Sequence, residues 1–340
     1  MAMSVAIAGA GLLGRLLAWR LARRGWQVDV FDPAPGPGPR FGEHGAAQHA
    51  AGFSAAGMLS PLAELENADA GIAARGWRSI ALWREIVAAL DARPDFAERG
   101  SLMLAHRADL GAAHRVLARL PQDEAQPLDG DALPALEPSL QRGLHAWLLP
   151  GEAHIDAVHT LAALQAEAPG ARWHWQRAAR ELHPGRVVLD NGDEVRADRV
   201  FDVRGLGARP ALPLRGVRGE MLWLRLASHG LTRPVRLLHP RHRVYVVPRS
   251  PDLVLVGASE IESEDRSEVS LRSAVELMAA AHSVMPSLAE ARVVCMDSNL
   301  RPALADHRPY VEVSDGLVRI NGLFRHGWLL APALIEEALG

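Results

Sequence analysis

The chain has 340 residues, 49% hydrophobic and 23% charged, with a formal net charge of −3. That composition belongs to one large or two intimate folded domains and excludes a disordered chain or a basic nucleic-acid binder. A single cysteine, Cys295, excludes an intramolecular disulfide and a cysteine-based zinc site, and all 37 basic residues are arginine, which excludes P-loop chemistry and lysine Schiff bases. The expected setting is reducing and cytoplasmic. No apolar run approaches the ~20 residues of a spanning helix.

Residues 4–8 form a short apolar strand. Residues 12–24 carry Leu13, Leu16, Leu17 and Leu21 at helical spacing and end at Gly25. A second strand, 28–31, closes at Asp32, so the first 32 residues read as a βαβ unit. The Pro/Gly-rich stretch 33–38 is loop. One or two helices span 70–92, with Trp77, Ile80, Trp83, Ile86, Val87 and Leu90 on a stripe. A strand at 101–105 and a helix at 109–120 follow.

Residues 154–167 read as a helix and 186–195 as a hairpin turning at Asn191-Gly192, a type I′ signal. A buried strand at 199–203 precedes a β-rich block with strands at 220–226, 235–238, 244–247 and 253–256. Helices at 271–284 and 329–339 flank strands at 293–296 and 317–320. A β-rich block between two α/β stretches predicts a second domain inserted into a nucleotide-binding one.

Gly9-Ala10-Gly11-Leu12-Leu13-Gly14 is G-x-G-x-x-G between a strand and a helix, and Asp32 follows 18 residues after Gly14. Glycines there permit a tight turn and close approach of a pyrophosphate to the helix N-terminus, and the acid accepts from ribose hydroxyls. The pattern predicts a dinucleotide site without separating FAD from NAD(P). The histidines His239, His242, His154 and His159 lack metal-ligand spacing, so no metal site is expected. The arginines of 233–243 read as a solvated rim.

Six further stretches occur in one order along the chain. They are Ala55-Ala56-Gly57-Met58-Leu59-Ser60-Pro61, Arg218-Gly219-Glu220-Met221, Val244-Tyr245-Val246-Val247-Pro248-Arg249, Val256-Gly257-Ala258-Ser259-Glu260, Leu300-Arg301-Pro302 with Asp306, and Gly322-Leu323-Phe324-Arg325-His326-Gly327-Trp328-Leu329-Leu330-Ala331-Pro332. Together they resemble the glycine oxidase (ThiO) branch of the D-amino-acid oxidase family of FAD-dependent amine oxidases.

The resemblance implies an α/β fold: a Rossmann-like FAD-binding domain (1–85, 145–215 and 295–340) with an inserted mixed α+β substrate domain (86–144 and 216–294). It implies non-covalent FAD, hydride transfer from Cα of a small amino acid or amine to flavin N5, hydrolysis of the imine, and reoxidation by molecular oxygen or another acceptor. Arg301 takes the substrate carboxylate, Tyr245 adds a hydroxyl, Arg325 lies beside the flavin's pyrimidine edge and Met58 lines the pocket.

Gly9, Gly11, Leu12, Leu13, Gly14, Asp32, Ala56, Gly57, Met58, Ala178, Arg204, Gly205, His326, Gly327, Trp328 and Leu329 fall on cofactor-binding positions. Arg204 is expected near the pyrophosphate. Amides at Gly327, Trp328 and Leu329 would stabilise negative charge on the reduced ring. Asn299 departs from the family's glycine. Two alternatives stay open: a D-amino-acid or secondary-amine dehydrogenase serving a non-oxygen acceptor, and a non-catalytic FAD-binding subunit of a larger amine dehydrogenase. Self-association as a homo-oligomer is also open. No nucleic-acid partner is expected.

Overall fold

The apolar run Ser4–Ala8 is an inner strand of a six-stranded sheet. A computed structural model describes residues 2–39, 49–66, 69–239 and 243–340. Arg199–Asp202 and Gln27–Asp32 flank the inner strand, with Leu317–Asn321 and Arg172–Trp175 beyond them, all parallel. Tyr310–Ser314 adds an antiparallel edge.

Parallel strands buried on both faces are apolar on both, and alternation divides the work. Val5 and Ile7 face the helices, packing with Leu16 and Leu17 of Leu12–Ala22 and with Leu330 and Leu334 of Gly327–Leu339. Ala6 and Ala8 face a second layer, the three-stranded meander Ala179–His183, Arg186–Leu189 and Glu194–Arg196. Small side chains on that side let the layers approach.

An eight-stranded sheet stands beside the first. Its order is Arg292–Ala303, Arg215–Arg225, Leu253–Gly257, Arg243–Ser250, Val235–Leu238, Ser101–Ala105, His145–Leu149 and Gln126–Leu128. Only the Val235–Leu238 and Ser101–Ala105 pair is parallel. One face, with Leu222, Leu224, Val244, Val246, Val254 and Val256, packs on Leu277, Ala281 and Val284 of the helix Leu271–Val284. The opposite face carries Met221, Trp223 and Tyr245 and looks toward the cleft between the sheets.

Three expectations are corrected. Boundaries at 145 and 295 place His145–Leu149 and the end of Arg292–Ala303 in the nucleotide-binding part, yet both belong to the eight-stranded sheet. Pairing with distant partners, invisible in a local pattern, puts them there. The turn at Asn191-Gly192 is wider than two residues: Leu189 N–H donates to Asp193 O at 2.9 Å, and Gly192 N–H to Leu189 O at 3.1 Å. His154 lies on the strand Ala153–Ile155, and the helix begins at Ala157 behind the Asp156 cap. Of the His239–His242 cluster, residues 240–242 lie outside the described residues. Among the described residues no helix is long and apolar enough to cross a membrane.

Candidate active site

The first βα turn is shaped by its glycines, each for a different reason. Gly9 has φ +107°, and a Cβ there would sit 2.7 Å from Val203 O. A Cβ on Gly14 would sit 1.8 Å from Gly9 O, so the helix could not close on the strand. Gly11 differs. Its φ is −75°, and a Cβ would meet only Ala50 Cβ, at 3.4 Å. The first and third glycines are required by the chain's own packing; the middle one opens onto the cleft. Asp32 closes the second strand, where its carboxylate accepts from Ala10 N–H at 2.6 Å and Ala34 N–H at 2.8 Å.

Beneath this turn lies a residue the motif does not announce. Arg15 is 1% exposed. Its guanidinium donates to Ala10 O (2.8 Å), Leu161 O (2.9 Å), Gln165 Oε1 (2.8 Å) and Pro37 O, and lies 5.1 Å from the Phe53 ring centre. Burial lowers its pKa to about 10, with the Asp32 charge opposing the fall. An arginine on an otherwise apolar helix face is the only sequence signal for it.

Arg204 lines the cleft, but its fork is taken up within the fold. Nε and Nη2 donate to the buried Asp202 at 2.9 and 2.8 Å, and Nη1 donates to Ala179 O at 2.7 Å. It is therefore a neutralised brace, not the available cation expected beside a pyrophosphate. Ala178 and Gly205 line the same end.

A second helix N-terminus enters the cleft from the far side. Gly327–Leu339 starts after His326 without a side-chain cap, so its first amides lack intrahelical acceptors. Pro332 cannot donate to Trp328 O four residues back. The indole of Trp83 donates to that carbonyl instead, at 2.8 Å, and stacks on the Trp328 ring at 5.3 Å. The Trp328 indole donates to Gly52 O at 3.1 Å. Gly57, at φ +62°, brings Ala56 and Met58 into the wall; a Cβ there would meet Ile155 O at 2.0 Å.

At the other end, the eight-stranded sheet presents a polar row. Arg236, Tyr245, Gly257 and Met221 lie directly opposite one another on four adjacent strands, so they share a face. Two glycines, Gly257 in the row and Gly219 two residues before Met221, leave gaps on this face. The Tyr245 ring leans over Gly257, where a Cβ would lie 2.6 Å from its hydroxyl. The Arg301 guanidinium lies over Gly219, where a Cβ would lie 2.3 Å from Nη2.

Arg301 donates to Ser259 O at 3.1 Å, and among the described residues no carboxylate is within ion-pair distance of it. Burial pulls its pKa down, while Tyr245 and Glu260 push back. Burial raises that of Tyr245, which keeps its proton as a donor at neutral pH. Met58 packs beside Tyr245 and lines the cleft. Asn299 donates to His49 O and Ser54 Oγ, both at 3.0 Å, tying the sheet to the 49–54 segment as a glycine could not.

Arg325 also requires correction. Nε and Nη2 donate to Glu64 at 2.9 and 2.8 Å, and Nη1 to Glu260 at 3.3 Å. Arg236 donates to the other Glu64 oxygen at 3.0 Å. Burial alone would raise the pKa of Glu64, but Arg325, Arg236 and the His326 side hold it far below the carboxylate range. Arg325 is thus committed to an internal network and does not offer a second free fork. Glu64 was not singled out from the sequence; its only signal is an acid inside the apolar run 55–65.

One cleft of about 610 Å³ runs from Asp32 past both helix N-termini to Arg301. The open space above Gly11 and two helix starts aimed into one channel suit a long, doubly anionic dinucleotide. A carboxylate-free guanidinium at the far end suits an anionic reactant. This is the layout of an FAD-dependent oxidoreductase.

The chain belongs to the DAO family of FAD dependent oxidoreductases, whose model matches residues 4–338. It is 40% identical over 337 residues to a protein of Rhizobium etli that carries the name thiamine biosynthesis oxidoreductase ThiO, covering 98% of this chain and 95% of that one. It is 28% identical to the glycine oxidase of Geobacillus kaustophilus, covering 96% and 89%. The crystal structure of glycine oxidase from Geobacillus kaustophilus superposes with a TM-score of 0.81 at 24% identity, covering 99% of this chain and 95% of that chain, and so shares its fold. FAD is the cofactor.

Proposed function

We propose that the protein oxidatively deaminates glycine or another small amino acid, in the service of thiamine biosynthesis. The observation that carries this reading is Arg301, laid over Gly219 beside Tyr245, with Ser259 O as its acceptor and no carboxylate within ion-pair distance among the described residues. The name of the 40%-identical relative supports the pathway.

The residues fit FAD. Gly9, Gly11, Leu12 and Leu13 would face its pyrophosphate and Asp32 its ribose, while Gly14 serves the site by letting the helix close on the strand. Ala56, Gly57, Met58, Ala178, Gly205 and His326 through Leu329 would line the rest. FAD, when bound, supplies a hydride acceptor whose electrons pass on to oxygen. Cys295 is absent from the described cleft lining, and burial with the Asp297 charge pushes its thiol up to about 12, which favours non-covalent binding.

The chain's own part is placement. Arg301 fixes the substrate carboxylate by a two-pronged grip, and Tyr245 donates from beside it on the same sheet face. Amides at 327–329 stabilise negative charge at their end of the cleft. Glu64 cancels Arg325, and Arg301, buried and with no carboxylate within ion-pair distance among the described residues, is the cation assigned to select an acid. The amino acid loses a hydride from Cα and a proton from nitrogen, and water converts the imine to a 2-oxo acid and ammonia.

Arg301→Ala tests the reading. Truncating one partner of a buried charged pair costs roughly 2–5 kcal/mol, or about 30- to several-thousand-fold in kcat/KM for a small amino acid. FAD content should not change. Loss of flavin, or an equal loss with amines that have no carboxylate, would refute the assignment. A second reading, electron delivery to another acceptor, is favoured by one observation: the chain has no lysine to place an ammonium over the flavin.

A further inference from the structure

The carboxylate-binding arginine is itself held by something. Its guanidinium donates to the carbonyl of Ser259 at 3.1 Å. Three bonds in turn pin Ser259 to Glu220. Ser259 N–H donates to Glu220 O at 3.1 Å, Glu220 N–H donates to Ser259 Oγ at 2.9 Å, and Ser259 Oγ–H donates to Glu220 Oε2 at 3.1 Å. Glu220 is fully buried, and its other oxygen accepts from Arg218 Nε and Nη2 (3.0 and 2.8 Å) and from Ser270 N–H (3.0 Å). Arg218 continues to Asp265 O at 2.7 Å and Glu268 O at 2.6 Å.

Alternation along Arg215–Arg225 places this pair. Gly219 and Met221 face the cleft, so Arg218 and Glu220 point to the other side of the strand, where Leu222 and Leu224 meet the helix Leu271–Val284. Neither side chain can touch a substrate. A buried ion pair is a poor source of stability, and apolar residues of the same volume commonly do as well. What this pair adds is direction: it laces the 258–270 segment to the very strand whose Gly219 supports the guanidinium.

We infer that Glu220, acting through Ser259, is a positioning residue that aims Arg301 at the substrate carboxylate. The inference rests on the amino-acid reading above and adds to it the device that sets the clamp's angle. Two contacts locate the guanidinium, the Gly219 gap below it and the Ser259 carbonyl at its edge. Loosening the second lets the fork swing without removing its charge. Affinity for the carboxylate should fall, while the chemistry of substrate that does bind should persist.

The test uses the FAD-loaded enzyme and the variants Ser259→Ala, Ser259→Thr and Glu220→Gln. Acetate serves as a carboxylate probe that has no amine to oxidise. Its dissociation constant is measured by calorimetry, alongside KM and kcat for glycine and the melting temperature. Ser259→Ala keeps the carbonyl but removes both hydroxyl bonds to Glu220, and should raise the glycine KM and the acetate Kd together by about three- to ten-fold, equivalent to one ordinary hydrogen bond at the clamp. Ser259→Thr keeps the hydroxyl and should restore both. In an Arg301→Ala background, Ser259→Ala should add nothing to the residual kcat/KM.

A Ser259→Ala enzyme that melts earlier but keeps its KM and acetate affinity would show a structural role only and overturn the inference. So would a full-sized effect in the Arg301→Ala background. Should Glu220→Gln fail to fold, the serine variants decide. A wild-type enzyme that neither oxidises small amino acids nor binds acetate overturns the amino-acid reading itself, a result distinguishable because it precedes any substitution.

Discussion

Replacing Gly219 with alanine should disable the enzyme without unfolding it. A Cβ at that position would stand 2.3 Å from Arg301 Nη2, 2.4 Å from Cζ and 2.7 Å from Nη1. Ordinary contact begins near 3.4 Å, so the guanidinium must withdraw by about 1 Å. Gly219 is not among the positive-φ glycines, and the obstructing atoms end a flexible side chain, so the fold can yield at little cost.

Function cannot yield in the same way. Charge-assisted bonds of an arginine fork are about 2.7–2.9 Å long, and a 1 Å error in placement can cost on the order of 100-fold. That corresponds to about 2.7 kcal/mol of transition-state stabilisation. Steady-state peroxide assays over a glycine series should show kcat/KM down about 100-fold, with flavin per chain and melting temperature unchanged. A Gly219→Ala enzyme with wild-type kcat/KM would mean that the guanidinium does not grip the substrate from this position.

Gly11→Leu should give colourless protein of nearly unchanged fold, because the side chain would enter space that only the cofactor needs; yellow protein would refute the assignment of that space. Acid should destabilise the protein well above the carboxylate range. Burial, followed by the Arg249 and Arg99 charges, lowers the His154 pKa to about 3. The unfolded chain therefore takes up that proton first as pH falls below about 6.5, so stability is full above 6.5 and declines toward 3 at about 1.4 kcal/mol per unit. Urea midpoints at pH 7.5 and 5 should differ by about 2 kcal/mol of stability from this residue, a difference that His154→Asn removes; an unchanged slope would contradict it. Reoxidation of the photoreduced, product-free enzyme by oxygen should be slower than in relatives that carry a lysine over the flavin, and equal stopped-flow rates would remove the argument.

What could be read from the sequence was what is local. Gly9 to Gly14 with Asp32 lie within one βαβ unit, and the stripe of Leu271–Val284 gives that helix its ends. Arg301 and Tyr245 could be named from their motifs, but not the reason they lie where they do. That reason is Gly219 and Gly257, which matter only once four strands are in register. Arg204 and Arg325 look alike as arginines beside motif glycines; Asp202, two residues back, neutralises the first, and only tertiary pairing shows that distant Glu64 neutralises the second. His145–Leu149 has no clean alternation, and distant Ser101–Ala105 makes it a strand. Arg15 breaks an apolar face, a signal that also fits a helix edge at the surface.

The central claim is most directly tested by mixing the purified protein with glycine and a panel of small amino acids without oxygen, then admitting air. The account predicts that glycine or a close analogue bleaches the yellow flavin absorbance, that air restores it with release of peroxide, and that methylamine, which has no carboxylate for Arg301, does neither. Flavin that dithionite bleaches but no amino acid does, or equal bleaching by methylamine, would contradict it.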